Sequence, residues 1–103
     1  MPSQAPSNFT VVVSSSISVT ASWKLPPKSS RNGIITGFKL FYKEKSLSGL
    51  ATTLRINDGA SRNKTVTGLD KYTEYEFQVL AFTSVGDGPN SSVKTRRTME
   101  DGN

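Results

Sequence analysis

Hydrophobic and polar residues alternate with a period of two in several short runs along the chain, and no convincing 3.6-residue period occurs. The runs are Phe9/Val11/Val13, Ile17/Val19/Ala21/Trp23, Phe38/Leu40/Tyr42, Leu54/Ile56 and Tyr75/Phe77/Val79/Ala81, followed by Val93 before Lys94. This alternation is typical of β-strands that bury one face and expose the other.

Turn-forming residues separate these runs. Ser, Gly, Asn, Asp and Pro are frequent in segments 14–16, 25–33, 46–49, 57–61 and 85–89. Pro26 and Pro27 lack a backbone N–H and cannot lie in a central strand, so the second strand should end near Lys24. Seven short strands with a turn roughly every ten residues predict an all-β, seven-stranded antiparallel sandwich.

Four segments in this order carry a family resemblance: PSNFTV (6–11), ISVTASWKLPP (17–27), GIITGFKLFYK (33–43) and VTGLDKYTEYEFQVLAFTSVGDGP (66–89). Each is loose alone, but their order and spacing resemble a fibronectin type III domain, which has an immunoglobulin-like β-sandwich fold. The resemblance extends from Pro6 to Thr98. We therefore expect a domain at residues 6–98, residues added for expression or linker residues at 1–5, and a C-terminal linker at 99–103.

The resemblance also implies a structural core and a tyrosine corner. Tyr75 lies six residues after Leu69, so its hydroxyl is expected to bond the backbone of the loop before the sixth strand. Lys71 stands where the family often has proline, which predicts a less rigid loop. The implied core residues are Trp23, Leu40, Tyr42, Leu69, Tyr75, Phe77 and Val79.

The segment SVGDGPNSS, residues 84–92, is the expected connection between the sixth and seventh strands. In one relative this loop carries Arg-Gly-Asp for integrins, but Val85 stands here in place of the arginine. A phosphate loop is excluded because the segment opens a strand rather than a helix, and Pro89 removes one N–H donor. The sequence predicts a plain turn.

Composition excludes several classes of function. The chain has 103 residues, enough for one domain, and contains neither cysteine nor histidine. Zinc, haem and iron–sulfur sites therefore lack their usual cysteine and histidine ligands. Catalysis by a Cys–His or Ser–His pair lacks its base. No apolar run is long enough to suggest membrane insertion by this domain. Glu74 and Glu76 are expected to pair with Lys39 or Lys43, so we predict no enzyme activity and no cofactor.

The formal net charge of +5 raises the question of anionic partners. The thirteen Lys and Arg residues are scattered and carry no nucleic-acid motif, so no nucleic-acid partner is predicted. Lys43, Lys94 and Arg96 remain candidates for a heparin-type polyanion contact, because the third and seventh strands should share a sheet. An ordinary solvated basic surface is the simpler interpretation.

Two further sets of residues are candidates for modification and contact. Asn8, Asn63 and Asn90 each begin an Asn-x-Ser/Thr sequon without proline, a motif for N-glycosylation in secreted proteins. Phe41, Leu80 and Phe82 are out of phase with the core residues and should share the outer face of one sheet. A cluster of exposed apolar side chains can mark an interface, although the stems of Lys39 and Lys94 could instead cover the rings.

The resemblance implies a non-catalytic binding or spacer module from the extracellular part of a multidomain cell-surface protein. Its segments are similar to modules of adhesion and guidance receptors and of receptor tyrosine phosphatases. The expected partners are other proteins or adjacent domains of the same chain. The alternatives are a secreted matrix protein and a cytoplasmic tandem module of a giant muscle or cytoskeletal protein.

Overall fold

The computed structural model describes residues 4–26, 33–45 and 51–99. In that part of the chain seven strands form two antiparallel sheets, which confirms the predicted all-β sandwich. One sheet has the order β1-β2-β5 and the other the order β4-β3-β6-β7. The strands are β1 Ser7–Ser15, β2 Ser18–Lys24, β3 Gly37–Glu44, β4 Thr52–Ile56, β5 Asn63–Val66, β6 Glu74–Phe82 and β7 Lys94–Arg97.

The core lies between the two sheets and is built from the inward side of each strand. Trp23 of β2 is 3% exposed, and its ring packs against Phe38 of β3 with centroids 5.3 Å apart. The indole N–H donates to the Ser61 carbonyl at 3.2 Å, so the ring is buried without leaving its polar atom unpaired. Leu40, Leu69, Tyr75, Phe77 and Val79 are buried in the same cluster, and Tyr42 is half-buried against it.

Ile17 departs from the alternation that the sequence suggested. It lies in the turn between β1 and β2, outside both strands, and 44% of its surface is exposed. The tight connection that pairs Ser15 with Ser18 leaves no room for Ile17 in the strand. The predicted place of Ile17 in the second strand is therefore wrong.

The crossover from β5 to β6 is fixed by Tyr75, which the structure places in a tyrosine corner. The Tyr75 hydroxyl accepts a hydrogen bond from the Asp70 N–H at 2.8 Å. One residue earlier, the Leu69 N–H donates to the Ile17 carbonyl at 2.9 Å and ties the crossover to the β1–β2 turn. Burial of the Tyr75 side chain raises the pKa of its hydroxyl, and the Asp70 N–H opposes part of that rise.

The first and last strands bring the chain to opposite ends of the sandwich. At the start of β1, the Ser7 hydroxyl donates to the Leu25 carbonyl beyond β2. After β7, the buried Thr98 donates its hydroxyl to the Asp70 carbonyl at 2.6 Å, beside the β1–β2 turn. Because β1 runs from one of these ends to the other, the two ends are roughly 27 Å apart along the strand.

Candidate binding surfaces

The four-stranded sheet has an outer face rich in charged and aromatic side chains, which we call the charged face. Side chains on directly paired residues share a face, so the register of β3 with its neighbours determines its membership. Lys39 pairs with Arg55 on one side and with Leu80 on the other, and Lys43 pairs with Glu76. The charged face comprises Gly37, Lys39, Phe41, Lys43, Thr53, Arg55, Glu74, Glu76, Gln78, Leu80, Phe82, Thr95 and Arg97.

Leu80 and Phe82 lie on this outer face as predicted from their phase, but neither is exposed. Leu80 is 5% and Phe82 is 6% exposed. The Arg55 guanidinium lies over the Phe82 ring, 4.4 Å from its centroid, and the Lys39 ammonium is 5.8 Å from it. Their prediction as interface residues is therefore wrong, because long cationic side chains from β3 and β4 cover the apolar surface.

Gly37 leaves the space beside β3 that the Phe82 ring occupies. A Cβ at Gly37 would meet the Phe82 ring at 2.5 Å, a separation that no ordinary packing allows. The Phe82 ring therefore lies between a glycine backbone below and two cations above. It functions as a small second core on the outside of the sheet.

Phe41 is the one member of the predicted apolar trio that retains access to solvent, since it is half-buried. It lines an open groove of 310 Å³ that crosses the middle of the charged face. The other groove residues supply a cation, an anion, an amide and two small apolar groups. They are Lys43, Ala51, Glu76, Gln78 and Val93.

Ion pairs occupy the acidic side chains of the charged face and of the loop beside it. Lys43 pairs with Glu76 as expected, but Lys39 reaches the loop after β6 instead of Glu74 or Glu76. The N–O distances are 2.9 Å for Lys39–Asp87, 3.9 Å for Lys43–Glu76 and 3.0 Å for Arg97–Glu74. These carboxylates are engaged as structural partners rather than as converging acid–base groups.

The segment 84–92 is held as a turn against β6. The Thr83 N–H donates to the Gly86 carbonyl at 3.1 Å, and the Gly88 N–H donates to the Ala81 carbonyl at 2.9 Å. The Asp87 carboxylate points to Lys39. Within the described part of the chain, no cluster of three or more acidic residues is arranged to hold a metal ion.

The cations proposed for polyanion binding do not converge on one surface. Lys43 lies on the charged face, but Lys94 and Arg96 pair with core residues of β6 and lie on the inner side of the sheet edge. The Arg96 guanidinium reaches the other sheet and donates to the Val11 carbonyl at 2.8 Å. The predicted patch is wrong, because a shared sheet does not imply a shared face.

The three-stranded sheet has a contrasting outer face, which we call the neutral face. Its residues are Thr10, Val12, Ser18, Thr20, Ser22, Asn63 and Thr65, and Lys24 lies at its border. Thr20 and Thr65 bring their hydroxyl oxygens within 3.3 Å across β2 and β5. Alternation in the sequence showed Ser18, Thr20 and Ser22 as the polar side of a strand, but only the pairing with β5 adds Asn63 and Thr65.

The three sequon asparagines are all exposed, in different surroundings. Asn63 begins β5 on the neutral face, opposite Ser22. Asn8 lies at an irregularity in β1 with a left-handed φ of 52°. Asn90 precedes Ser91, whose buried hydroxyl accepts a hydrogen bond from the Val79 N–H at 3.0 Å.

Among residues 4–26, 33–45 and 51–99, the structure contains no apolar helix of the length that a membrane span requires.

Three curated relatives are similar to nearly the whole chain. Mouse Protein sidekick-2 is 38% identical over 102 residues, which cover 98% of this chain. Mouse Receptor-type tyrosine-protein phosphatase F is 42% identical over 103 residues and human Cell adhesion molecule DSCAM 36% over 101, covering 97% and 98% of this chain.

In each of these relatives the match spans only 5% of the relative's own length. The sequence profile of the Fibronectin type III domain matches residues 4–97, which include all seven strands. The family profile, the strand order of the two sheets and the tyrosine corner all point to the same family. This chain belongs to the fibronectin type III domain family.

Proposed function

We propose that this chain is a non-catalytic binding and spacer module in the extracellular part of a multidomain cell-surface adhesion or receptor protein. The observation that carries this proposal is the path of the backbone, which enters at one end of a rigid sandwich and leaves at the other. A module of this shape sets the distance and angle between whatever precedes and follows it.

Hydrogen bonds hold the backbone at both ends of the sandwich, so the orientation of a preceding domain can be passed on to a following one. At the entry, the contact is the Ser7 hydroxyl with the Leu25 carbonyl. At the exit, the Thr73 N–H donates to the Thr98 hydroxyl at 2.9 Å, and the Tyr72 N–H donates to the Met99 carbonyl at 3.0 Å. The backbone is thus held to the body of the domain up to Met99. Residues 6–98 are the part that we propose to act as one rigid spacer.

The relatives support the choice of host protein. Two of them are named a cell adhesion molecule and a receptor-type phosphatase, and each matches this chain over a small fraction of its length. A small module within such a protein acts through its surfaces and its geometry. The pairing of Glu74, Glu76 and Asp87 with lysine and arginine is consistent with the absence of catalytic chemistry.

The charged face is the surface that we propose for contact with a protein partner or an adjacent domain. It combines arginine and aromatic side chains, which are enriched at protein interfaces, with an open groove at Phe41. Its net charge is modest because ion pairs neutralise most of it. This arrangement favours a protein surface of mixed charge over a uniform polyanion.

Distance measurement between the two ends tests the spacer. The chain has no cysteine, so Lys24→Cys, which pairs with Ser7 at the entry end, and Met99→Cys at the exit end introduce the only two labelling sites. We expect double electron–electron resonance to give one narrow distance distribution for spin labels at these positions, because both ends are fixed to the sandwich. A broad distribution under native conditions would contradict a rigid spacer.

A matched control uses Tyr72→Cys with Met99→Cys. These two residues share a backbone hydrogen bond, so their labels should give a short distance in the same protein. In urea both pairs should broaden together, since unfolding releases them from one cooperative structure.

A further inference from the structure

We propose that Asn63 is the N-glycosylation site of this domain and that its glycan covers the neutral face. This inference rests on the extracellular position given under the proposed function. It assigns a covalent modification to one of three sequons. It also assigns different roles to the outer faces of the two sheets.

Asn63-Lys64-Thr65 is the one sequon whose three residues are all exposed. In the first sequon the middle residue, Phe9, is a core side chain, and in the third the middle residue, Ser91, is buried. A glycan at Asn63 therefore extends from a strand segment that already faces solvent. No core contact has to give way to it.

The position of β5 provides room for a branched sugar. β5 forms one edge of the three-stranded sheet, so the space beside Asn63 holds no further strand of the described structure. On the neighbouring strand β2, Asn63 pairs with Ser22, a short polar residue. The first sugars can lie outward or across the sheet without meeting a bulky side chain.

The chemistry of the neutral face suits a carbohydrate cover better than a protein contact. Interface hot spots are enriched in Trp, Tyr and Arg, and the outward side of β1, β2 and β5 contains none of these. Its Ser and Thr hydroxyls can each donate and accept hydrogen bonds, as sugar hydroxyls do. Val12, 62% exposed, lies two strands from β5, about 10 Å away, and is the apolar surface that a glycan would shelter.

The modification step is a glycosyl transfer. The side-chain amide nitrogen of Asn63 forms a bond to C1 of an oligosaccharide carried on a lipid diphosphate, and the bond from C1 to the phosphate oxygen breaks. The lipid diphosphate leaves, and the amide proton passes to a base of the transferase. The Thr65 hydroxyl supplies the sequon's third recognition element.

Expression behind a secretory leader in a eukaryotic cell tests the site. We expect intact-mass and peptide mass spectrometry to find a glycan on Asn63 in most chains, sensitive to an amidase that removes N-glycans. Asn63→Gln and Thr65→Ala should abolish it, whereas Thr65→Ser should retain it. Thr67→Ala, an exposed threonine outside the sequon, is the matched control and should leave occupancy unchanged.

Occupancy is read on both secreted and retained protein, so poor secretion does not obscure the result. Unmodified Asn63 in folded chains that have entered the secretory pathway would overturn the proposal. That result would leave the spacer function standing, because the spin-label distances report it independently. A broad distance distribution together with an occupied Asn63 would contradict the rigid spacer and support the glycosylation site.

Coverage of the neutral face has its own measurement. Methyl and amide NMR signals of the glycosylated protein are compared with those of Asn63→Gln. We expect changes at Val12, Thr20 and Ser22 and none at Phe41 on the charged face. If the signals of the neutral face are unchanged, the glycan projects away from the sheet and the coverage proposal fails.

Discussion

The outer faces of the two sheets obey the same alternation but differ in burial. On β6 of the charged face, Leu80 and Phe82 point away from the core and are nearly inaccessible, whereas Val12 on β1 of the neutral face is 62% exposed. The cause lies in the neighbouring strands. Lys39 and Arg55 have long stems that lie over the apolar side chains beside them, but serine and threonine are too short to cover Val12.

This difference shows that an outward position in a strand does not by itself define an available surface. Cross-strand neighbours decide whether an apolar side chain is buried, and they come from segments far apart in the sequence. The charged face therefore contributes to stability through these covered side chains. The neutral face contributes few side-chain contacts of that kind.

The largest expected effect is truncation of the covered ring. We expect Phe82→Ala to lower the free energy of unfolding by about 3–5 kcal/mol, since the ring is as buried as a core aromatic. Val12→Ala on the neutral face should change it by less than about 0.5 kcal/mol. Urea denaturation followed by Trp23 fluorescence measures both, and equal small effects would contradict the distinction between the faces.

A second substitution adds volume beneath the same ring. Gly37→Ala would place its Cβ against the Ile56 carbonyl oxygen and 2.5 Å from the Phe82 ring. We expect a loss of about 1–3 kcal/mol in unfolding free energy, because β4 or the ring must shift. Thr53→Ala, an exposed position on β4, is the control. A Gly37→Ala protein as stable as that control would show that the ring packs elsewhere.

Tyr75→Phe tests how much the tyrosine corner stabilises the crossover that joins the two sheets. Loss of the hydroxyl that accepts the Asp70 N–H should cost about 0.5–1.5 kcal/mol. The raised pKa of Tyr75 means that the native state holds this proton more tightly than the unfolded chain. Its contribution to stability is therefore complete below pH 10.0 and declines as the pH rises through the native pKa.

The measurement is urea denaturation between neutral pH and pH values above 10.0 for both proteins. The difference in unfolding free energy between wild type and Tyr75→Phe should shrink at the alkaline end. A difference that stays constant with pH would show that burial does not hold the proton on Tyr75.

The smallest effect concerns the exposed ion pair at the edge of the charged face. Lys39 and Asp87 are 2.9 Å apart with partly exposed side chains, so a double-mutant cycle to alanine should give about 0.2–1 kcal/mol. This coupling should weaken in molar salt, which screens charges. The same cycle for Thr20 and Thr65 on the neutral face should show no salt dependence. A salt-dependent coupling there would contradict its neutral character.

The sequence alone determined the fold and the inward residues of its strands. The side-chain period of a strand is two, so the alternation around Trp23, Leu40 and Phe77 identifies which side faces the core wherever a run is long enough. The sequons and the tyrosine corner could also be identified from the sequence, because each is a short pattern of residues within one segment. Ile17 shows the limit, because the tight turn makes β2 begin at Ser18, one residue after the alternation begins.

Only the tertiary structure decided which outward residues form surfaces. Burial of Phe82 depends on Arg55 and Lys39 lying beside it, and the separation of Lys43 from Arg96 depends on the register of β6 with β7. Neither register nor side-chain reach is encoded in the periodicity of one segment. Each is a relation between strands, fixed when the sheets assemble, and for that reason the charged face and the neutral face emerge only from the folded chain.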